Sequence, residues 1–158
     1  MNTPTFPGNS YFARMQRGEA TAPAVSTLLG SQITEVDLGA GTLESEYTAT
    51  EDFLNPAGQV QGGMLGAMLD DVTAFLVTAT LAENEHCATL NLNISFLRPA
   101  SAGLIVGRSR LVRRGKGVCH VQGELVQAGK QIASATATCM VVSGADSESR
   151  EKPDSKQS

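Results

Sequence analysis

The stretch GGMLGAMLDDVTAFLVTATL, residues 62–81, decides the fold of this 158-residue chain. It is apolar almost all the way round a helix, and Asp70 and Asp71 are its only charged residues. A helix that is hydrophobic on every face must be surrounded by protein. The other elements of the chain are therefore expected to enclose this helix.

Six segments around the helix show the patterns of β-strands. Two precede it, joined by the hairpin turn Gly39-Ala40-Gly41, and four follow it. The predicted ranges are 32–38, 42–48, 89–97, 104–113, 118–127 and 131–142. Strands at hairpin spacing form an antiparallel sheet, and a single helix covers only one of its faces. We predict an α+β fold in which a curled antiparallel sheet of five to six strands wraps around one long central helix.

Two of the predicted strands have a face suited to the helix. In the segment TLNLNISFL, strict alternation predicts that one face carries Leu90, Leu92, Ile94 and Phe96. In the last strand, one face carries the small residues Ala133, Ala135, Ala137 and Cys139. Side chains this small allow a helix to approach a sheet closely.

Length and composition predict one globular domain flanked by an N-terminal arm and a C-terminal tail. Hydrophobic residues make up 41% and charged residues 18% of the chain, which is enough for a real core. We predict an N-terminal arm with short helices at 1–29, a main domain at 30–143 and a disordered tail at 144–158. Neither end is expected to carry chemistry.

Charge and residue usage exclude several classes of function. A formal net charge of −4 argues against a general nucleic-acid binder. No uncharged apolar run is long enough to span a bilayer, and the first residues lack a secretory pattern, so a cytoplasmic protein is expected. Three scattered cysteines and two histidines predict neither a disulfide framework nor a metal site.

The start of the helix shows the pattern of a catalytic site. Gly62 and Gly63 present backbone N–H groups that no side chain shields, and such groups can stabilise an oxyanion. Asp70 is a carboxylate on an apolar helix, which is costly unless it is hydrogen-bonded or used. Eight residues of helix separate Gly62 from Asp70 by about 12 Å, too far for both to act on one carbonyl. Two antiparallel copies could combine them, which predicts a dimer with two equivalent sites.

These residues carry a family resemblance. Asn55, Gly62-Gly63 and Asp70 at the start of a long helix after two strands, followed by NISFLRPA at 93–100, resemble the hotdog-fold acyl-CoA thioesterases. Within them the chain looks most like the PaaI-like phenylacetyl-CoA thioesterase group, over about residues 30–142. The resemblance implies hydrolysis of an acyl-CoA to free acid and CoA at a subunit interface of a homodimer or dimer of dimers, without metal or organic cofactor.

The resemblance also implies roles for individual residues. Gly62 matches the glycine that polarises the thioester carbonyl, and Asn55 matches an asparagine that holds substrate or water. Asp70 matches the carboxylate that the partner subunit supplies as base or nucleophile, and Thr89 matches the hydroxyl beside it. The family often has His before the glycine pair, where this chain has Gln61, a side chain that cannot change charge near pH 7.

Substrate binding is assigned to the helix start and to basic residues. Gln61 and Gly63 flank the predicted oxyanion site. Arg98, Arg113, Arg114 and Lys116 lie near strand ends and a turn, where they could meet the phosphates of CoA. The alternative is that they are the solvated charges of a sheet edge.

Other interpretations remain open at this stage. Asp70 could be a structural carboxylate, Asn55 an ordinary turn residue, and Asp71 structural or bonded across the dimer. Gln61 favours a non-catalytic acyl-CoA-binding module on the same scaffold. A hotdog hydratase or dehydratase is less favoured. The resemblance implies a carboxylate paired with His for those enzymes, and no His lies in this motif. The acyl group, aromatic or aliphatic, is left undecided.

Overall fold

A six-stranded antiparallel sheet curls around one long helix in the computed structural model, which describes residues 4–144. The strands are β1 (Gln32–Asp37), β2 (Thr42–Ala49), β3 (Glu85–Phe96), β4 (Gly103–Arg114), β5 (Val118–Gln127) and β6 (Lys130–Ser143). Their order in the sheet is β1-β2-β4-β5-β6-β3, so β1 and β3 form its two edges. The predicted α+β architecture is confirmed. Apart from Gly144, the predicted tail lies outside the described residues.

The central helix, α3 (Gly62–Ala79), supplies much of the core. Phe75, Leu76 and Val77 are consecutive and all buried, so buried side chains leave the helix axis in three directions about 100° apart. One stripe is only half-buried, and it includes Ala67, Asp70 and Ala74. The helix is therefore enclosed by its own chain except along this stripe of small residues and one carboxylate. It is the one helix in residues 4–144 long and apolar enough to resemble a membrane span, and here it packs inside a sheet.

Close packing of sheet on helix requires small residues on the inner face. Ala133, Ala135, Ala137 and Cys139 of β6 are buried, as their spacing predicts. Gly107 of β4 is equally constrained: a Cβ there would lie 2.7 Å from Cε2 of Tyr47 and 3.4 Å from Cβ of Val72. The sheet can bend over α3 at this point because the position has no side chain.

The edge strand β3 contains a bulge that corrects one prediction. Thr89 is paired with Cys139 and Asn91 with Thr138 on β6, so Leu90 is an extra residue in the ladder. The side-chain alternation restarts after it, and Thr89 takes the helix-facing side together with Leu92 and Ile94. Leu90, predicted to share that face, is 57% exposed instead. A bulge reorients the side chains on either side of it, which strict alternation cannot foresee.

Two short helices in the N-terminal arm cover the other side of α3. They are α1 (Tyr11–Gln16), whose start is capped by the Ser10 hydroxyl, and α2 (Ala24–Leu28). The ring of Phe12 packs edge-on against Phe75 of α3, with 5.1 Å between their centroids. Aromatic pairs prefer this arrangement.

Asp71 fastens the arm to α3. Its Oδ1 accepts a 3.0 Å hydrogen bond from the Ser26 hydroxyl of α2, and its Oδ2 is buried beside the Tyr47 side chain with no partner among the described residues. Burial raises the pKa of Asp71. The side chain therefore bonds within its own subunit, and its contacts hold the rotation of α3 that turns the preceding residue, Asp70, toward β3.

The crowding at Gly107 can be tested by substitution. We expect Gly107→Ala to destabilise the protein by about 1–3 kcal/mol, because the fully buried Tyr47 ring has no room to move. The measurement is the free energy of unfolding in urea. The matched control is Gly117→Ala, where a Cβ would meet nothing within 4 Å. Equal stabilities for the two variants would show that the inner face is not tightly packed.

The buried carboxyl of Asp71 predicts a pH-dependent stability. The pKa of Asp71 is higher in the folded state than in the unfolded state, so folding disfavours the ionised carboxylate. As pH rises from the unfolded-state pKa to the folded-state pKa, this group lowers the free energy of unfolding. Asp71→Asn can still accept from Ser26 but carries no charge. We expect its melting temperature to exceed that of the unaltered protein at pH 7.5 and the difference to shrink toward about pH 4.

The control for this experiment is Asp52→Asn, which removes an exposed carboxylate. It should show no comparable gain at pH 7.5. A melting temperature for Asp71→Asn that is lower than the unaltered protein's at pH 7.5 would contradict the prediction.

Candidate active site

The start of α3 presents backbone N–H groups that no side chain caps with a hydrogen bond. Gln61 is the N-cap residue, with φ −58° and ψ 135°, and its side chain makes no capping hydrogen bond. The N–H groups of the first helical residues have no acceptor within the helix. Gly62 is half-buried and Gly63 is exposed, so the Gly62 N–H lies in a partly sheltered position at the positive end of the helix.

A line of three helical residues, spaced four apart, runs along the edge strand β3. A Cβ on Gly62 would lie 3.2 Å from the Phe96 ring, and one on Gly66 would lie 3.1 Å from Cδ1 of Ile94. One turn further on, the Thr89 hydroxyl donates a 2.8 Å hydrogen bond to Oδ1 of Asp70. The predicted oxyanion donor and the predicted carboxylate thus lie on the same face of α3, both next to the free edge of the sheet.

The structure brings Thr89 and Asp70 together but keeps Gly62 apart from both. The hydroxyl of Thr89 reaches Asp70 because the bulge at Leu90 turns Thr89 inward. Asp70 is half-buried, and its Oδ2 is left available beside the half-open stripe of α3. Eight residues of regular helix separate Gly62 from Asp70, about 12 Å along the axis.

Asn55 lies in a tight loop just before α3. Its Oδ1 accepts hydrogen bonds from the backbone N–H groups of Ala57 (2.9 Å) and Gln59 (3.2 Å). The loop is closed by a bridge between Leu54 and Val60. The carbonyl oxygen of the side chain therefore holds the loop, and the amide NH2 is the part of Asn55 that could reach a substrate.

The basic residues predicted to bind substrate divide between the two ends of the sheet. Arg98 follows β3 on the Gly62 side and donates a 2.7 Å hydrogen bond to the carbonyl oxygen of Gln131. Arg113, Arg114 and Lys116 surround the β4–β5 turn. Pairs on neighbouring strands connect this turn to Thr89. Arg114 on β4 is opposite Cys119 on β5, Cys119 is opposite Cys139 on β6, and Cys139 is opposite Thr89 on β3. These three basic residues therefore lie on the Asp70 side of the same protomer.

Three cysteines form a row across the sheet near Asp70. Their positions in the sequence do not reveal this arrangement. Cys87, Cys139 and Cys119 come from the adjacent strands β3, β6 and β5, and Cys119 and Cys139 are fully buried. A hydrogen bond between the Cys87 and Cys139 thiols raises the pKa of Cys87 and lowers that of Cys139. Within residues 4–144, no group of His, Cys, Asp or Glu side chains has an arrangement that could hold a metal ion.

A polar groove of about 690 Å³ lies on the sheet away from this site. Within it, the Arg108 guanidinium lies between two carboxylates, 2.7 Å from that of Glu44 and 3.8 Å from that of Glu124. Neither Gly62 nor Asp70 lines it. In a single copy the candidate active site is an open edge of the sheet rather than a closed cavity. It is therefore separate from this groove.

Comparisons with known proteins agree with this fold. A family model for the acyl-CoA thioesterase N-terminal domain matches residues 50–140, more than half of the chain. A phenylacetic acid degradation-related protein from Ralstonia eutropha JMP134 is 69% identical, with 82% of this chain and 98% of that chain covered and a TM-score of 0.81.

More distant solved structures share the fold. The PaaI protein from the phenylacetic acid degradation operon of E. coli is 23% identical, with 85% and 92% of the two chains covered and a TM-score of 0.70. A thioesterase from Haemophilus influenzae is 18% identical, with 78% and 85% covered and a TM-score of 0.71. The match to the family model and the 69% identical structure together show that this chain belongs to the acyl-CoA thioesterase family and is a thioester hydrolase with the hotdog fold.

Proposed function

We propose that the chain hydrolyses acyl-CoA thioesters to free carboxylic acid and CoA, at a site shared between two copies. The observation that carries this proposal is the line along α3. Gly62 offers an uncovered N–H, Asp70 is held by Thr89, and both face the free edge of the sheet about 12 Å apart. One copy cannot bring them to the same carbonyl, whereas two copies can.

The edge strand β3 suggests how the second copy is placed. It is paired only with β6 among the described strands, and most of its side chains are exposed. With Leu90 counted as the extra residue of the bulge, Phe96, beside Gly62, and Thr89, beside Asp70, each lie three ladder positions from Asn93. Antiparallel pairing of β3 with its copy about Asn93, with the same bulge in each copy, would set Phe96 of each protomer opposite Thr89 of the other. Such a two-fold contact creates two equivalent sites.

The half-buried stripe of α3 supports the same arrangement. Its small residues, Ala67 and Ala74, flank Asp70 and would let a second helix approach closely. Water would then be largely excluded from the carboxylate, which strengthens electrostatic interactions there.

The chemistry follows from the groups placed on the two sides. The thioester carbonyl oxygen accepts a hydrogen bond from the Gly62 N–H, where the helix dipole stabilises developing negative charge. Asp70 of the other copy, with Oδ1 fixed by Thr89, either removes a proton from the attacking water or attacks the carbonyl carbon itself. In the second route a mixed anhydride forms, and water then cleaves it. In both routes the C–S bond breaks and CoA leaves as the thiol.

The remaining predicted residues have supporting roles in this proposal. Gln61 and Gly63 border the carbonyl, and the Asn55 amide can hold substrate or water. In the proposed dimer, Arg113, Arg114 and Lys116 lie on the same side as Asp70 of their own copy. They would therefore approach Gly62 and Arg98 of the other copy. Positive charge from both protomers is thus available to the CoA phosphates. The cytoplasmic location and the choice between a dimer and a dimer of dimers stay predictions.

Hydration of an enoyl thioester receives no support from the geometry. Its catalysis would need an imidazole beside the carboxylate. His120 lies on the outer face, with Nδ1 3.3 Å from the Thr138 hydroxyl, and His86 is exposed near the start of β3. Neither is in contact with Asp70 in the described structure.

Removing the carboxylate tests the reaction. We expect Asp70→Asn, which can still accept a hydrogen bond from Thr89, to lower kcat for thiol release by about 10²–10⁴-fold. The assay follows CoA release with DTNB over short, medium and aromatic acyl-CoAs. The matched control is Asp71→Asn, whose side chain faces the arm, and it should stay within about threefold of the unaltered enzyme. Near-normal turnover by Asp70→Asn would overturn the assignment.

Mixing two inactive variants tests the shared site. Gly62→Pro removes the proposed oxyanion donor and places a side chain against the Phe96 ring, so it disables the Gly62 half of the site. The backbone accepts this change, because proline is common at the first helical position and Gln61 already has the extended conformation that precedes proline. Co-expressed with Asp70→Asn under separate tags, Gly62→Pro should form mixed dimers with one intact site each. Random assembly makes about half of the dimers mixed, giving about a quarter of the normal activity.

The homodimers of each variant are the controls, and both should be nearly inactive. Purified mixed dimers that are as inactive as the homodimers would show that each site is built from a single chain.

A further inference from the structure

Phe96 is an aromatic residue that its own protomer leaves uncovered. It lies at the end of β3 on the helix-facing side, in alternation with Leu92 and Ile94, yet it is 55% exposed. Those two residues are half-buried against α3. The exposure of Phe96 is that of a single copy, and in the proposed dimer the ring faces the shared site, opposite Thr89 of the other copy.

The Phe96 ring lies against the proposed oxyanion donor. Its Cζ, Cε1 and Cε2 atoms would be 3.2, 3.4 and 3.5 Å from a Cβ on Gly62. The ring tip therefore fills the space beside the Gly62 backbone in which any other residue would have a side chain. The Gly62 N is bonded to the Cα that would carry this Cβ, so a thioester whose carbonyl oxygen is bound by the Gly62 N–H would have its α-carbon close to the ring.

We propose that Phe96 determines specificity at the acyl α-carbon: its ring packs against an unbranched chain and excludes a substituent on the carbon next to the thioester carbonyl. This inference rests on the proposed function, because it places the carbonyl at Gly62. Aromatic rings supply a large, rigid contact area with few rotatable bonds. A methyl group added to the α-carbon would compete with the ring for the same space.

The effect of removing the ring follows from packing. Phe96→Ala deletes the contact with an unbranched chain and opens room for a branch. The gain or loss of one methyl group in an apolar pocket typically changes kcat/KM by about ten-fold or more. The two thioesters of an isomeric pair should therefore respond in opposite directions.

The experiment compares butanoyl-CoA with its isomer 2-methylpropanoyl-CoA, and hexanoyl-CoA with 2-methylpentanoyl-CoA. For each pair, the ratio of kcat/KM for the unbranched over the branched thioester is measured by thiol release. We expect this ratio to fall about ten-fold in Phe96→Ala. Phe96→Leu, which keeps an apolar side chain, should give an intermediate ratio and serves if the alanine variant does not fold.

The control is Leu104→Ala, which removes an equally exposed apolar side chain (54%) from β4. Its ratio should equal that of the unaltered enzyme. Gel filtration of each variant separates a specificity role from a purely structural one. Dissociation with equal loss on both thioesters of a pair would make Phe96 an interface residue and overturn the inference.

The two proposals fail in different ways. If the unaltered enzyme releases no thiol from any acyl-CoA, the proposed function and the role of Phe96 both fall. If the enzyme is active and both Phe96 variants keep its ratio within about twofold, only the role of Phe96 is overturned.

Discussion

Enclosure of the apolar helix α3 is the constraint on which the rest of the structure depends. The consecutive residues Phe75, Leu76 and Val77 point in three directions about 100° apart and are all buried. Because one sheet has to reach around so much of the helix, it must curl, and curling requires small inner residues such as Gly107 and Ala137. The N-terminal arm closes the side that the sheet does not reach, through Phe12 and the Ser26–Asp71 hydrogen bond.

The part of α3 that the chain does not enclose carries the candidate active site. The uncovered stripe of α3 and the free edge β3 adjoin each other, and Gly62, Asp70, Thr89 and Phe96 all lie along their boundary. In a single copy Gly62 and Asp70 are only half-buried, and they lie too far apart to act on one carbonyl. A second copy would cover the exposed apolar surface, supply the missing group and exclude water in one step. Stability and catalysis would then depend on the same contact.

The sequence predicted the fold more completely than the site. The strands and helix followed from local alternation and from one uninterrupted apolar segment, properties that depend on neighbouring residues alone. The Thr89–Asp70 contact could be anticipated only by resemblance, because strict alternation places Thr89 on the wrong face. The bulge at Leu90 and the row formed by Cys87, Cys139 and Cys119 depend on the register between β3, β6 and β5, and one strand's sequence does not determine its register.

The sequence by itself determined that an apolar helix would be buried within an antiparallel sheet, with a pair of glycines at its start and a carboxylate two turns on. Periodicity and helix geometry are enough for that, because they are properties of consecutive residues. Only the tertiary structure decided which residues meet: Thr89 with Asp70, Phe96 with Gly62, and Asp71 with Ser26. These contacts join positions far apart in the chain, so they depend on how strands pair and how tightly the sheet closes over the helix.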